Sequence, residues 1–306
     1  MPTNDPRPTK TQRREDARAK ALAMRQEQER KAKRTRMLAI GGLLAAVLVL
    51  AAVVFAIVRQ GQANAEAYGD VVYAGGAQEA VAPSLEDVEA PAAADATGGI
   101  PISAAGVGEA GGEDDVVVEV YFDFMCPWCG KFDAANSGEL EALAADEGVT
   151  VVYKNIAFLD GNSQGTFYST RAANAAATVA AEAPELYTDF VTALYANQPA
   201  EGTEGLKDAK IAEIATEVGV PQDVVDAFTE TVDGTFEVGS DDATESRDGT
   251  WRRYAPFVAA TTQQAGEDLG GLSTPTVLID GEKWEGDLYT PGPLTQAVLA
   301  AVAAKG

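Results

Sequence analysis

The chain has 306 residues, 23 Lys plus Arg against 47 Asp plus Glu, two cysteines and no histidine. These counts exclude a Ser-His-Asp triad, a Cys-His protease pair, histidine-ligated metals, a four-thiolate metal site and a multi-disulfide framework within one chain. A net charge of −24 argues against nucleic-acid binding, which needs a basic face, and 46% apolar residues suffice for an ordinary hydrophobic core.

Charge divides the chain. Residues 1–36 carry twelve basic and five acidic side chains, a net of +7, whereas residues 60–306 carry a net of −32. Between them Met37 to Val58 is an apolar run of 22 residues without a charged side chain. As a helix it is about 33 Å long against a hydrocarbon core of roughly 30 Å, so it reads as a transmembrane span. Its basic flank places the N-terminus in the cytoplasm and everything after Arg59 outside. The run is longer than the apolar region of a cleavable signal peptide, which makes it a single-pass anchor in the cell membrane. The 36 residues ahead of it read as a mixed-charge disordered tail that can touch anionic headgroups.

Residues 59–97 are rich in Ala, Gly, Glu and Pro without a sustained period, which predicts a flexible, disordered linker. Short apolar pieces such as Val71 to Tyr73 are able to dock on the domain that follows, which spans 98–306. There a short strand at Ile100 to Ser103 precedes a clear one at Val116 to Phe124, whose near-continuous apolar content marks a strand covered on both faces. Cys126-Pro127-Trp128-Cys129 comes next and opens a helical pattern that stops at Gly148; the following strand is Val149 to Phe158. Strand, helix and strand in this order make a parallel βαβ unit with both cysteines at a helix N-terminus.

Unpaired N–H groups and the positive end of the helix dipole favour an anion at that position, which predicts a partly ionised Cys126 near neutral pH. Pro127 fits the first helical position, and the spacing lets the two sulfurs close a disulfide. Cys126, nearer the helix tip, is the expected attacking sulfur, and Cys129, one turn inside, the resolving one. A fixed staple and half of a metal site shared with a second chain are the alternatives. So short a loop gains little from a staple, and no other Cys or His is present to complete a metal site. Near the C-terminus Thr274-Pro275 precedes a strand, Thr276 to Asp280, which Asp280-Gly281 turns into a second strand around Glu282 to Trp284; taken alone, Pro275 simply begins a strand. A helix at Leu294 to Ala304 closes the chain.

Together, VEVYFDFMCPWC (118–129), YSTRAANAAA (168–177) and GLSTPTVLIDG (271–281) resemble the membrane-anchored DsbA-like thiol-disulfide oxidoreductases of bacteria, within the thioredoxin superfamily. The resemblance implies an α/β thioredoxin fold with a helical insertion at about 160–270, and Thr274 with a cis Pro275 facing the CPWC motif and holding a substrate segment beside the attacking sulfur. The length between the strands at 149 and 276 fits an insertion, and helices are expected at 166–182, 184–196, 206–218, 221–232 and around 249–268. Arg171 and Asn174 match the family pattern and read as surface or packing positions of the first of these.

Two positions depart from the family. Val120 stands where well-known members carry a proton-shuttling acid; of its neighbours Glu119 and Asp123, Asp123 is the candidate proton carrier, although a solvated strand-end carboxylate is the simpler reading. Trp128 stands where the strongest oxidants have a histidine, and it supplies no positive charge. A less acidic Cys126 follows, with a potential between roughly −270 and −120 mV. Trp128 and Met125 form a candidate apolar substrate patch.

The expected function is an extracytoplasmic thiol-disulfide oxidoreductase that donates disulfides to exported polypeptides with free or paired cysteines, using no cofactor and no metal. Reoxidation calls for a membrane redox partner, quinone-linked by the family analogy. A reductase or isomerase of the same fold, and a non-enzymatic membrane-tethered binding or assembly factor, are the alternative readings.

Overall fold

An apolar run flanked by strong helix formers gives one long helix, α1 (Lys10–Ala67). The structure is a computed structural model that describes residues 10–73, 80–240 and 243–306. The chain divides into two units, Met1–Gln60 and Gly61–Gly306. In the first, α1 is long and apolar enough to cross a membrane. Its apolar side chains point outward, Leu38 being 77% exposed, which is a surface suited to lipid. The disordered tail expected ahead of the span is instead helical from Lys10. Ala, Arg, Lys, Gln and Glu are good helix formers, the apolar helix supplies the nucleus, and Glu27 pairs with Lys31 one turn on at 2.8 Å.

The second unit is built on a six-stranded sheet formed by β1 (Ile100–Ser103), β2 (Gly106–Val107), β3 (Val116–Phe122), β4 (Val149–Asn155), β7 (Thr276–Ile279) and β8 (Glu282–Lys283). Its order is β2-β1-β4-β3-β7-β8. Strand β3 runs parallel to β4, with Val116 opposite Val149, and antiparallel to β7, with Val118 opposite Ile279. Helix α2 (Pro127–Ala144) makes the crossover from β3 to β4. Period-2 alternation sends Val116, Val118, Val120 and Phe122 into the main core, while Tyr121 packs with Ile156, Ala265 and Leu278 on the other face. The sheet is therefore covered on both sides, as the apolar run of β3 implied.

Four helices fill the first part of the insertion: α3 (Tyr168–Glu182), α4 (Tyr187–Ala196), α5 (Asp208–Glu217) and α6 (Gln222–Asp226). The helices expected at 221–232 and from about 249 are corrected by the structure. Strands β5 (Thr231–Ser240) and β6 (Ala243–Arg252) form an antiparallel hairpin, and α7 begins only at Ala255, running to Leu269. The hairpin wins because alternate residues Phe236, Val238 and Trp251 bury one face against Val72, Tyr73 and Ala255, a small second core that no helix over these residues forms. Helix α8 (Pro293–Lys305) ends the chain.

The flexible linker expected at 59–97 is also corrected. Helix α1 continues to Ala67, Val71 and Val72 are buried, and the Arg252 guanidinium holds the Asp70 carboxylate at 2.8 Å. Tyr68 lies over the Arg171 guanidinium at 4.4 Å, and Asn64 donates to the Gln164 carbonyl at 2.8 Å. Ala80 pairs with Val238 at the hairpin edge, and Ser84 caps a short turn at Leu85–Asp87. Burying Val71, Val72 and Tyr73 contributes about 1.5–3 kcal/mol per side chain, which with the Asp70–Arg252 pair anchors this stretch to the domain. Residues 74–79 lie outside the described residues.

Candidate active site

Strand β3 ends at Phe122 and delivers Asp123, Phe124 and Met125 into a tight turn that closes on Cys126. Cys126 is the N-cap residue of α2 and Pro127 its first helical residue. The Cys126 sulfur meets the carbonyl oxygen of Thr274 at 3.4 Å, and the Thr274-Pro275 peptide is cis. The structure thus brings together CPWC and Thr274-Pro275, which are separated by 148 residues in sequence.

The two sulfurs differ in environment. A hydrogen bond from the Cys129 thiol, with Thr274 and the N–H groups of Cys129 and Trp128 adding to it, lowers the Cys126 pKa to about 6 despite burial. Cys129 is driven the other way: desolvation one turn inside the helix, then the neighbouring Cys126, raise its thiol well above the ordinary range. Both cysteines are present as free thiols.

Asp123 is fully buried, so the expected solvated carboxylate is corrected. Its Oδ1 accepts the Met125 N–H at 2.8 Å and the Ser169 hydroxyl at 2.6 Å, and its Oδ2 accepts the Leu159 N–H at 2.9 Å. Desolvation outweighs these bonds and raises its pKa to about 7. Asp160, buried close by, accepts the N–H of Thr170 at 3.1 Å and its hydroxyl at 2.5 Å; desolvation raises its pKa to about 6. Glu119 lies elsewhere, on the far face of the sheet. There it pairs with the buried Lys154 at 2.9 Å, and with Tyr121 it holds that ammonium protonated against desolvation.

Trp128 is 50% exposed, its ring 5.2 Å from that of Tyr289 and 4.0 Å from the Lys131 ammonium. Met125, by contrast, is 0% exposed and takes no part in a surface patch. Tyr289, 42% exposed, stands where that residue was expected. Arg171 is not a surface residue: fully buried, it pairs with Asp208 at 2.7 Å and donates to the Leu206 carbonyl at 2.8 Å. Asn174 is buried as well, donating to the Phe228 carbonyl at 3.0 Å and accepting the Tyr254 N–H at 2.9 Å. Two further residues reach the site without being singled out in the sequence. Ser169 lies in the 168–177 stretch and was signalled only as part of it. Gln198, which follows α4 and carries no motif, donates to the carbonyls of Phe124 and Cys126 at 2.9 and 2.8 Å.

Comparison with known proteins follows the same lines. The family model described as Thioredoxin matches residues 110–292. The serine/threonine-protein kinase PknE of Mycobacterium tuberculosis is 31% identical over 146 residues, which make up 46% of this chain and 26% of the kinase. Among solved structures, the reduced disulfide bond oxidoreductase DsbG of Mycobacterium tuberculosis aligns with a TM-score of 0.50 at 24% identity, over 68% of this chain and 91% of that one. The thiol-disulfide oxidoreductase MdbA of Actinomyces oris aligns with a TM-score of 0.52 at 20% identity, over 73% and 98%. Both structural likenesses are likenesses of fold. With the family match covering strands β3, β4, β7 and β8, the CPWC helix, the insertion and the Thr274-Pro275 loop, the chain belongs to the thioredoxin family.

Proposed function

We propose that this chain is a membrane-anchored thiol-disulfide oxidoreductase in which Cys126 attacks and is attacked, and Cys129 resolves. The observation that carries the reading is the asymmetry of the pair, an acidic sulfur at a helix tip beside a buried one of raised pKa. The structural neighbours DsbG and MdbA, which share the fold, are both named as oxidoreductases.

In the donor direction a client thiolate attacks the Cys126 sulfur of the Cys126–Cys129 disulfide. The client–Cys126 bond forms, the Cys126–Cys129 bond breaks, and Cys129 leaves as a thiolate that takes up a proton. A second client thiolate then attacks the client sulfur of the mixed disulfide and expels Cys126 as a thiolate. The client is oxidised by two electrons, and the CPWC pair is reduced by two. Asp123 is the proton carrier best placed in the turn. Thr274 and Pro275 hold the client backbone beside Cys126, and the exposed Trp128 and Tyr289 rings give apolar footing. Clients are exported polypeptides, since the basic flank of α1 orients the second unit outside the cytoplasm. Reoxidation falls to a quinone-linked membrane protein, which accepts the two electrons.

A Cys126 pKa of about 6 lies between thioredoxin at about 7 and DsbA at about 3.5, which supports an oxidant of intermediate strength. The test is the equilibrium reduction potential in glutathione buffers. A value above about −180 mV is expected of a donor, and one near about −270 mV would make the protein a reductant. A pair that does not equilibrate overturns the enzymatic reading.

A further inference from the structure

Gln198 belongs to the insertion, yet its side chain ends inside the turn that presents the CPWC motif. Its Nε2 bridges the carbonyls of Phe124 and Cys126 at 2.9 and 2.8 Å. Only the NH₂ end of an amide can donate to both, so the direction in which the group faces is fixed by its acceptors. The other end fills the space over Gly130, where a Cβ would stand 2.4 Å from Gln198 Oε1. The base of the side chain is itself anchored: the Gln198 N–H donates to the Tyr195 carbonyl at 3.1 Å, and α4 is tied to α2 by the Thr192 hydroxyl donating to Asp133 at 3.2 Å.

The Cys126 carbonyl is also the first acceptor of α2, taking the N–H groups of Cys129 at 3.0 Å and Gly130 at 3.3 Å. Its direction sets the N-cap conformation, and with it the place of the sulfur relative to the helix N-terminus. Asp123 grips the same turn from the other side, through the Met125 N–H. The turn from 123 to 126 is thus held at one N–H by a carboxylate and at two carbonyls by one amide.

We propose that Gln198 is a positioning residue for Cys126, an amide donor supplied by the insertion that holds residues 124–126 in the conformation that sets the sulfur at the tip of α2. The proposal rests on the reading of Cys126 as the attacking sulfur. It makes the insertion part of the redox machinery.

The test is a pH titration of Cys126, by thiolate absorbance and by alkylation rate, on the full-length reduced protein in detergent. It compares the wild type with Gln198→Met, which keeps the length of the side chain and removes the donor, and with Gly130→Ala, which displaces the amide from the opposite side. Both variants are expected to lose about three- to tenfold of the thiolate present below the wild-type midpoint, as net hydrogen-bond strengths imply. Because they disturb one contact, the double variant should fall short of the product of the two effects. A Gln198→Met protein that titrates like the wild type overturns the proposal. If that variant does not fold, Gly130→Ala decides, since alanine favours the helix, and an unchanged midpoint there is equally fatal. A wild-type protein that titrates as an ordinary thiol near about 8.5 would instead sink the reading of Cys126 on which the proposal stands.

Discussion

Asp123 accepts the Met125 N–H at 2.8 Å, which builds a buried carboxyl into the backbone turn three residues ahead of Cys126. Desolvation, the largest influence on it, holds that carboxyl near half-ionisation at neutral pH, with a pKa of about 7. The Tyr195 hydroxyl, buried among these groups, lies within electrostatic reach of both Cys129 and Asp123. The proposed role of Asp123 as proton carrier for the departing Cys129 sulfur rests on this placement.

Asp123→Asn is therefore expected to slow disulfide exchange about tenfold or more and to remove the limb of the pH-rate profile near pH 7. Alkylation of Cys126 by a small reagent should change far less. Stopped-flow kinetics with a dithiol peptide across pH 5 to 9 would decide between a proton carrier and a structural acid, which would leave the shape of the profile unchanged.

The reduction potential should bend with pH. Below about 6 the reduced pair carries two protons, so the potential falls by about 60 mV per pH unit; above it Cys126 is ionised while Cys129 stays protonated, and the fall halves to about 30 mV. Redox equilibration at half-unit pH intervals locates the break. An unbroken slope up to pH 8 contradicts the asymmetry of the two sulfurs.

Stability should decrease from acid to neutral pH. Asp123, Asp133 and Asp160 all have folded pKa values of about 6 to 7, raised by desolvation, against roughly 3.9 when unfolded. Between about pH 4 and 7 the folded state therefore binds more protons than the unfolded one, and stability falls as pH rises through that window. Asp208 and Asp280, whose pKa values are lowered, act in the opposite sense only at more acid pH. In the disulfide form, where Cys126 does not titrate, the melting temperature at pH 5 is expected to exceed that at pH 8 by about 5 °C or more.

A domain cut at residue 98 loses Asp70 and Val71 to Tyr73, which strands the buried Arg252 with one carboxylate fewer and uncovers Phe236 and Trp251. Such a fragment should melt at least about 10 °C below one starting at residue 61, given several kcal/mol of lost burial and pairing. Thermal unfolding of the two fragments measures the difference directly. Equal melting temperatures would mean that residues 61–97 add nothing to the domain.

Much of this architecture could be read from local pattern. The apolar run from Met37, the βαβ unit and the cysteines at a helix tip depend on residues close in sequence. The hairpin did not show, because Thr231 to Arg252 mixes Gly, Asp and Thr with few apolar residues, and its partners Val72 and Tyr73 lie far away in the chain. Asp123 illustrates the same limit. Its burial is set by the Leu159 N–H and the Ser169 hydroxyl, 36 and 46 residues on, and nothing beside it in the sequence distinguishes it from a solvated acid. Gln198, 72 residues from Cys126, bore no motif at all.

The fit between Gln198 and Gly130 binds two distant positions into one choice. Since a Cβ at 130 would stand 2.4 Å from the Gln198 amide oxygen, a side chain at 130 displaces the amide from its carbonyls, and the two sites are coupled. Among relatives of this chain, glycine at the helix position should accompany a long amide at the end of α4, and a shorter residue there should appear with alanine. Such paired substitution would trace, through sequences alone, which members of the family use the insertion to hold their nucleophile.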